Sequence, residues 1–293
     1  MEPVPPAVKK GPAGPVDKAH SGESYYLSGG RSMGAKKSIE LAQRYIQDYI
    51  DKVGAAGVVI GISGGVDSTV AAQLACRALS PQQVLGLILP YKTTDPRSLE
   101  DAEAVVKHLN IPHQTIDITP QIDAYYAQCS EGDEDYLRIG NKAARERMAV
   151  LYDQAQARNY LVLGTSNKTE WLLGYFTLWG DMAAALEPVE DLYKTQVLEL
   201  ARVLGVAERI INKAPTADLW PGQTDEQEIG VGYAEIDRIL YRHVEYNETA
   251  EEICKSGLER EKVEKVLRMM HRTSFKRKLP DVLQLQYCWE GLQ

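Results

Sequence analysis

The stretch from Val58 to Ala75 constrains the fold more than any other part of this chain. Val58-Val59-Ile60-Gly61-Ile62 is a continuous apolar run of the kind that forms a strand buried on both faces. Val70-Ala71-Ala72-Gln73-Leu74-Ala75 reads as a helix, and Ser63-Gly64-Gly65-Val66-Asp67-Ser68-Thr69 as the turn between them. A helix N-terminus presents unpaired N–H groups and the positive end of its dipole, so such a turn suits phosphate. The glycines let the backbone approach the anion, and the hydroxyls of Ser63, Ser68 and Thr69 add donors. A Walker loop would carry a lysine beside the Ser/Thr pair; here that lysine is missing and Asp67 sits in the loop instead. A carboxylate beside phosphates makes chemical sense with Mg²⁺ between them.

Further strands are predicted at 84–89, 113–118 and 160–164, alternating with helices near 67–79, 97–109 and 138–157. That alternation implies an α/β fold, a doubly wound parallel sheet with flanking helices. Ile39, Ala42, Tyr45, Ile46, Tyr49 and Ile50 place a helix ahead of the first strand. Beyond Gly164 the pattern becomes helical, with Val197, Leu200, Ala201 and Leu204 on one face and Gly205 as a C-cap. Helices at 233–243, 248–256 and 259–271 complete a helical C-terminal part. Residues 1–34, rich in Pro and Gly, read as a flexible arm in which Tyr25, Tyr26 and Leu27 offer an apolar hook, and 35–293 as one domain.

In open parallel sheets, ligands bind at strand carboxyl ends where the strand order reverses. The second strand end rich in chemistry is Gly164-Thr165-Ser166-Asn167-Lys168-Thr169-Glu170. If the strands at 57–62 and 160–164 are neighbours, Asp67 and Glu170 face one another across a nucleotide.

The net charge of −8 argues against broad nucleic-acid or membrane-surface binding. Cys76, Cys129, Cys254 and Cys288 are scattered without metal spacing, which fits reduced cytoplasmic thiols. No apolar run approaches the roughly 20 residues of a membrane span, and no signal-peptide core is apparent.

Gly-Ile-Ser-Gly-Gly-Val-Asp-Ser at 61–68 resembles the pyrophosphate loop of the N-type ATP pyrophosphatases. Three further segments narrow this: Gly174-Tyr175-Phe176-Thr177-Leu178-Trp179-Gly180-Asp181, Asp191-Leu192-Tyr193-Lys194-Thr195-Gln196-Val197, and the stretch from Pro215 to Glu226. Together they resemble the ammonia-dependent NAD synthetases over residues 36 to 280. The resemblance implies ATP-dependent amidation of deamido-NAD to NAD, through a deamido-NAD adenylate, with release of pyrophosphate and AMP. It implies ATP as co-substrate and Mg²⁺ as metal. By resemblance, Gly61, Ile62, Ser63, Gly64, Gly65, Val66, Asp67 and Ser68 hold ATP, with Thr165, Lys194 and Thr216 as further contacts. Asp67 and Glu170 become metal ligands, Arg145 and Lys276 contacts to deamido-NAD, and Asp181 and Lys194 the catalytic pair, with Asp181 near the ammonia. The family pattern also implies a homodimer with deamido-NAD at the subunit interface.

Three positions depart from the common pattern. Leu178 stands where many members have lysine, Ala185 where many have aspartate, and Phe275 where many have histidine. All three fall on contacts to the dinucleotide, so they imply altered binding of deamido-NAD or a different carboxylate substrate. No cysteine-bearing glutaminase segment precedes the synthetase region, so free ammonia is the expected donor. Residues 90–97 and 213–228 are expected to close over the reactive acyl-adenylate.

Overall fold

Val58 and Ile60 bury against one layer of helices while Val59 buries against another, so β1 (Gly57–Gly61) is covered on both faces. α1 (Ala35–Val53) precedes it and α2 (Val66–Ala78) follows, as the apolar spacing predicts. Then come β2 (Val84–Ile88), α3 (Pro96–Leu109), β3 (His113–Thr115), α4 (Thr119–Tyr126), α5 (Tyr136–Gln156) and β4 (Tyr160–Leu163). The computed structural model describes residues 34–129, 135–216 and 222–283. Apart from Gly34, the expected arm and its apolar hook lie outside the described residues.

All strands are parallel, in the order β3-β2-β1-β4. The chain runs outward from β1 through β2 to β3, and then returns to the far side of β1. The β1/β4 boundary is therefore where the strand order reverses, and Ile60 pairs with Leu163 there. On one face, α1, α2 and α3 supply Ile46, Leu74 and Val106 to the core that receives Val58 and Ile60. On the other, α4 and α5 supply Ile122 and Ala143 to the core that receives Val59 and Val162. The doubly wound α/β arrangement is as expected.

The remaining elements are helical: α6 (Lys168–Leu173), α7 (Lys194–Leu204), α8 (Glu208–Ile211), α9 (Asp225–Ile229), α10 (Tyr233–Tyr246), α11 (Ala250–Cys254) and α12 (Arg260–Arg272). α7 adds Val197, Leu200 and Ala201 to the first core and ends at Gly205, left-handed at φ 76°. Ile236, Ile239 and Leu240 of α10 pack with Val263 and Val266 of α12 and Leu173 of α6 in a separate core. This is the helical C-terminal part, and α6 roots it directly in the loop after β4.

The start of β1 has room for hydrogen only. A methyl on Gly57 would overlap the Gln83 carbonyl oxygen and the Tyr160 ring. Gly57→Ala should therefore destabilise the fold by about 1–3 kcal/mol, read as a fall in the thermal midpoint.

Candidate active site

After β1 the chain passes through Ile62 and Ser63 to Gly65, the N-cap of α2. The loop is built from its own hydroxyls. Ser63 and Ser68 share a hydrogen bond of 3.0 Å, the Gly65 N–H donates to Ser63 Oγ, and Thr69 Oγ1 donates back to the Gly65 carbonyl at 2.7 Å. Thr69 is thus a buried brace of the loop, whereas Ser63 and Ser68 line the cavity beside it. Gly64 has φ +76° and lies flat on the first turn of α3, where a Cβ would overlap the Ser98 carbonyl.

After β4, Asn167 caps α6. Its Oδ1 accepts the Glu170 N–H at 3.0 Å, and its Nδ2 donates to Asp67 Oδ1 at 3.0 Å. One amide therefore ties the two strand ends together. Lys194, the first residue of α7, reaches into the same place. Its Nζ donates to Asp67 Oδ2 at 2.5 Å and lies 3.4 Å from Glu170 Oε1, with only 4% of its side chain exposed. Asp237 of α10 fixes the base of this group by accepting from Thr169 Oγ1 at 2.5 Å and from the Thr195 N–H at 2.8 Å. Tyr233 donates to the buried Asp225 and lies beneath the Lys194 ammonium, 5.2 Å from ring centre to Nζ.

The electrostatics follow from burial. Burial pushes Glu170 up to about 7, against the attraction of Lys194 and with a further push from Asp67. Burial alone would lower Lys194, but the Asp67 and Glu170 charges outweigh it and hold the ammonium firmly protonated. Asp181 is solvent-accessible at the cavity rim, yet desolvation by the surrounding protein raises its carboxyl above the usual range, against the Thr177 N–H and the Lys276 charge.

The cavity encloses about 670 Å³ and runs from the loop at 61–68 to the turn carrying Asp181. Gly61, Ile62, Ser63, Gly65, Val66 and Ser68 line it. So do Asp67, Glu170 and Lys194, and likewise Thr165, Thr216, Asp181 and Lys276. Gly64 does not line it. Arg145 also lies away from it, exposed on α5 and donating to the Leu178 carbonyl at 3.1 Å. Arg147, two positions on, faces the cavity and donates to the Leu89 carbonyl. Lys276 donates to the carbonyls of Gly174 and Phe176, so it braces the turn that presents Asp181. Of the departures, Phe275 is 63% exposed, and the Ala185 N–H donates to the Val162 carbonyl along β4. Part of the expected 213–228 closing segment, residues 217–221, lies outside the described residues.

Asn167, Asp225, Tyr233 and Asp237 were not among the sequence candidates. The Asn-x-x-Glu capping pattern at 167–170 was a readable sign of the first; the others are brought in by the helical part alone.

Glu170 has a folded pKa above that of an unfolded glutamate. From about pH 4.5 to 7 the folded chain keeps a proton that the unfolded chain has released, so this contribution to stability falls as pH rises through that window. The thermal midpoint of the ligand-free protein should gain from Glu170 on going from pH 8 to pH 6, and Glu170→Gln should remove that part of the slope.

Comparison with known proteins agrees with this geometry. A family model described as NAD synthase matches residues 38–280. The chain is 45% identical over 242 residues to the NH(3)-dependent NAD(+) synthetase of Fusobacterium nucleatum, covering 83% of this chain and 93% of that one. Among solved structures, the NMN synthetase of Francisella tularensis superposes with a TM-score of 0.78 at 37% identity, over 86% of this chain and all (100%) of that one. The NH3-dependent NAD synthetase of Campylobacter jejuni superposes with a TM-score of 0.73 at 34% identity, with the same coverage. A loop of glycines and hydroxyls at the β1/β4 switch point, two carboxylates meeting on a buried lysine, and matches over most of the chain lead to one conclusion: the chain belongs to the NAD synthase family.

Proposed function

We propose that the protein amidates the nicotinate carboxylate of deamido-NAD with ammonia, using ATP. The observation that carries this reading is the meeting of Asp67, Glu170 and Lys194 at one end of a cavity whose other end carries Asp181. A carboxylate is a poor acyl donor because its leaving group would be oxide. Adenylation provides AMP as the leaving group, and the loop Gly61–Ser68 is suited to receive the pyrophosphate half of ATP. Thr165 and Thr216 flank the same cavity as further contacts to ATP.

Mg²⁺ fits this donor set. Asp67 and Glu170 offer hard oxygen ligands, and burial raises the proton affinity of Glu170, which a cation beside it would offset. Among the described residues no third acidic, His or Cys side chain joins them as a metal cluster, so phosphate oxygens and water would fill the remaining positions. When bound, the ion supplies charge neutralisation to the departing pyrophosphate. Lys194, whose ammonium meets both carboxylates, would stabilise negative charge developing on the phosphates.

At the other end, Asp181 is held by the Thr177 N–H at 2.9 Å and takes up ammonium. Its raised proton affinity suits a group that accepts a proton from ammonium as neutral ammonia attacks. The reading extends to a cytoplasmic homodimer. Tyr136 and Leu137 at the start of α5 are 56% and 57% exposed, and a second copy covering that helix would bring Arg145 against the dinucleotide. Among the described residues no helix is long and apolar enough to cross a membrane.

Leu178, Ala185 and Phe275, together with the likeness to the Francisella NMN synthetase, favour one second reading, in which the carboxylate belongs to nicotinate mononucleotide.

The deciding assay supplies ATP, Mg²⁺ and ammonium or glutamine, with deamido-NAD or nicotinate mononucleotide as acceptor. NAD, AMP and pyrophosphate should form from deamido-NAD with ammonium alone. ATP binding without turnover of either acceptor would overturn the reading. Asp181→Asn should raise the KM for ammonium about tenfold or more while the KM for ATP stays within about twofold; unchanged ammonium kinetics would remove Asp181 from its role.

A further inference from the structure

The phosphate loop lacks the lysine that a Walker loop carries in its own sequence. The fold brings one to it from a distant segment. Lys213 lies between α8 and Thr216 and lines the cavity beside Ser63, Gly65 and Asp67. Its Nζ donates to Ser98 Oγ at 3.0 Å and to Asp101 Oδ2 at 3.3 Å, and it lies 3.5 Å from the Gly64 carbonyl oxygen.

That ammonium keeps charge to spare. Asp101 is also bound by Arg209, with Nε 2.8 Å from Oδ1, and the nearby Asp95 is paired with Arg97 at 2.9 Å. Three cations thus share two carboxylates at this edge of the loop, leaving a positive excess. Arg209 and Arg97 are 60% and 83% exposed, whereas Lys213 is 23% exposed and faces the cavity. Lys194 is committed elsewhere, to Asp67 and Glu170. The two lysines therefore stand at different parts of the same loop.

We propose that Lys213 is the pyrophosphate-binding cation of this site, contacting the β- and γ-phosphates of ATP and the pyrophosphate released from it. The inference rests on the reading that the Gly61–Ser68 loop receives the pyrophosphate half of ATP. No other part of the substrates need touch Lys213, so its loss is felt by pyrophosphate and ATP and not by AMP.

The test is calorimetric titration of the full chain with magnesium pyrophosphate, and separately with AMP. Lys213→Gln should weaken pyrophosphate about tenfold or more and leave AMP within about twofold. Lys213→Arg, which keeps the charge, should stay within about threefold of wild type, as should Arg209→Gln. A role confined to holding the loop would weaken AMP and pyrophosphate together in Lys213→Gln, and that result overturns the proposal, as does unchanged pyrophosphate affinity. A measurement on the wild-type protein needs no variant to fold: amine-reactive labelling of Lys213, followed by mass spectrometry, should slow in saturating pyrophosphate and not in AMP. Equal labelling rates with and without pyrophosphate also overturn it. Pyrophosphate binding through Lys213 in a protein that forms no amide would uphold this inference and remove the amidation reading. Amide formation with pyrophosphate affinity intact in Lys213→Gln would do the reverse.

Discussion

The buried Lys194 ammonium is the constraint on which the rest of the site depends. Two carboxylates from different strand ends, Asp67 and Glu170, approach one another in a partly dehydrated cleft. Without a cation between them their repulsion and desolvation would open the cleft, and breaking a buried ion pair typically costs about 3–5 kcal/mol. Lys194 supplies that charge, but only because α7 begins at the right place. Thr169 Oγ1 accepts the Lys194 N–H at 2.9 Å and itself donates to Asp237, so the backbone of α7 is fastened to α6 and α10 before its first side chain reaches inward.

This arrangement explains why a helical part is attached to a nucleotide-binding sheet at all. A parallel sheet alone would present the loop at 61–68 and the Asn167 cap at its switch point. It would not place Asp237, Asp225 or Tyr233 beneath them. Those groups come from α9 and α10, whose apolar faces close on α6 through Leu173, Ile229 and Ile236. Burial of those side chains provides free energy that holds these polar groups in place.

Much of this was legible along the chain because it is local. The strand–loop–helix at 57–78 shows as an apolar run, glycines and a helical repeat within a few turns of one another, and Gly205 marks its helix end by needing a left-handed φ. Three short helices were not legible: α6, α8 and α9 span six, four and five residues, too few to establish a period; the equally short α11 was, within the helix expected at 248–256. Nor was it legible that Arg147, two positions after Arg145, lines the cavity. Two positions on a helix differ by about 200° in direction, so which one faces the cavity depends on how α5 is rotated against the sheet. Lys213 meets Gly64 across a separation of 149 positions, and no local pattern announces such a contact. Thr69 failed in the opposite sense: its hydroxyl looked like a donor for phosphate, but the first turn of α2 offered it the Gly65 carbonyl.

The two ends of the cavity are joined by α6. Its N-terminus carries Asn167 and Glu170 beside Asp67, and its C-terminus turns at the left-handed Gly174 into the segment that presents Asp181. Six residues at 1.5 Å each make a spacer of about 9 Å. The last carbonyls of that spacer would be orphaned, but side chains of residues 273–277 satisfy them: Arg277 donates to Leu172 at 2.7 Å, Thr273 to Leu173 at 3.0 Å, and Lys276 to Gly174 at 2.9 Å. Phe275 precedes Lys276 and Arg277 in that segment and is 63% exposed, so its ring lies mostly in solvent beside the brace. The separation between the loop at 61–68 and the turn that carries Asp181 is thus set by a short helix pinned at both ends, and none of Leu178, Ala185 and Phe275 lines the cavity between them.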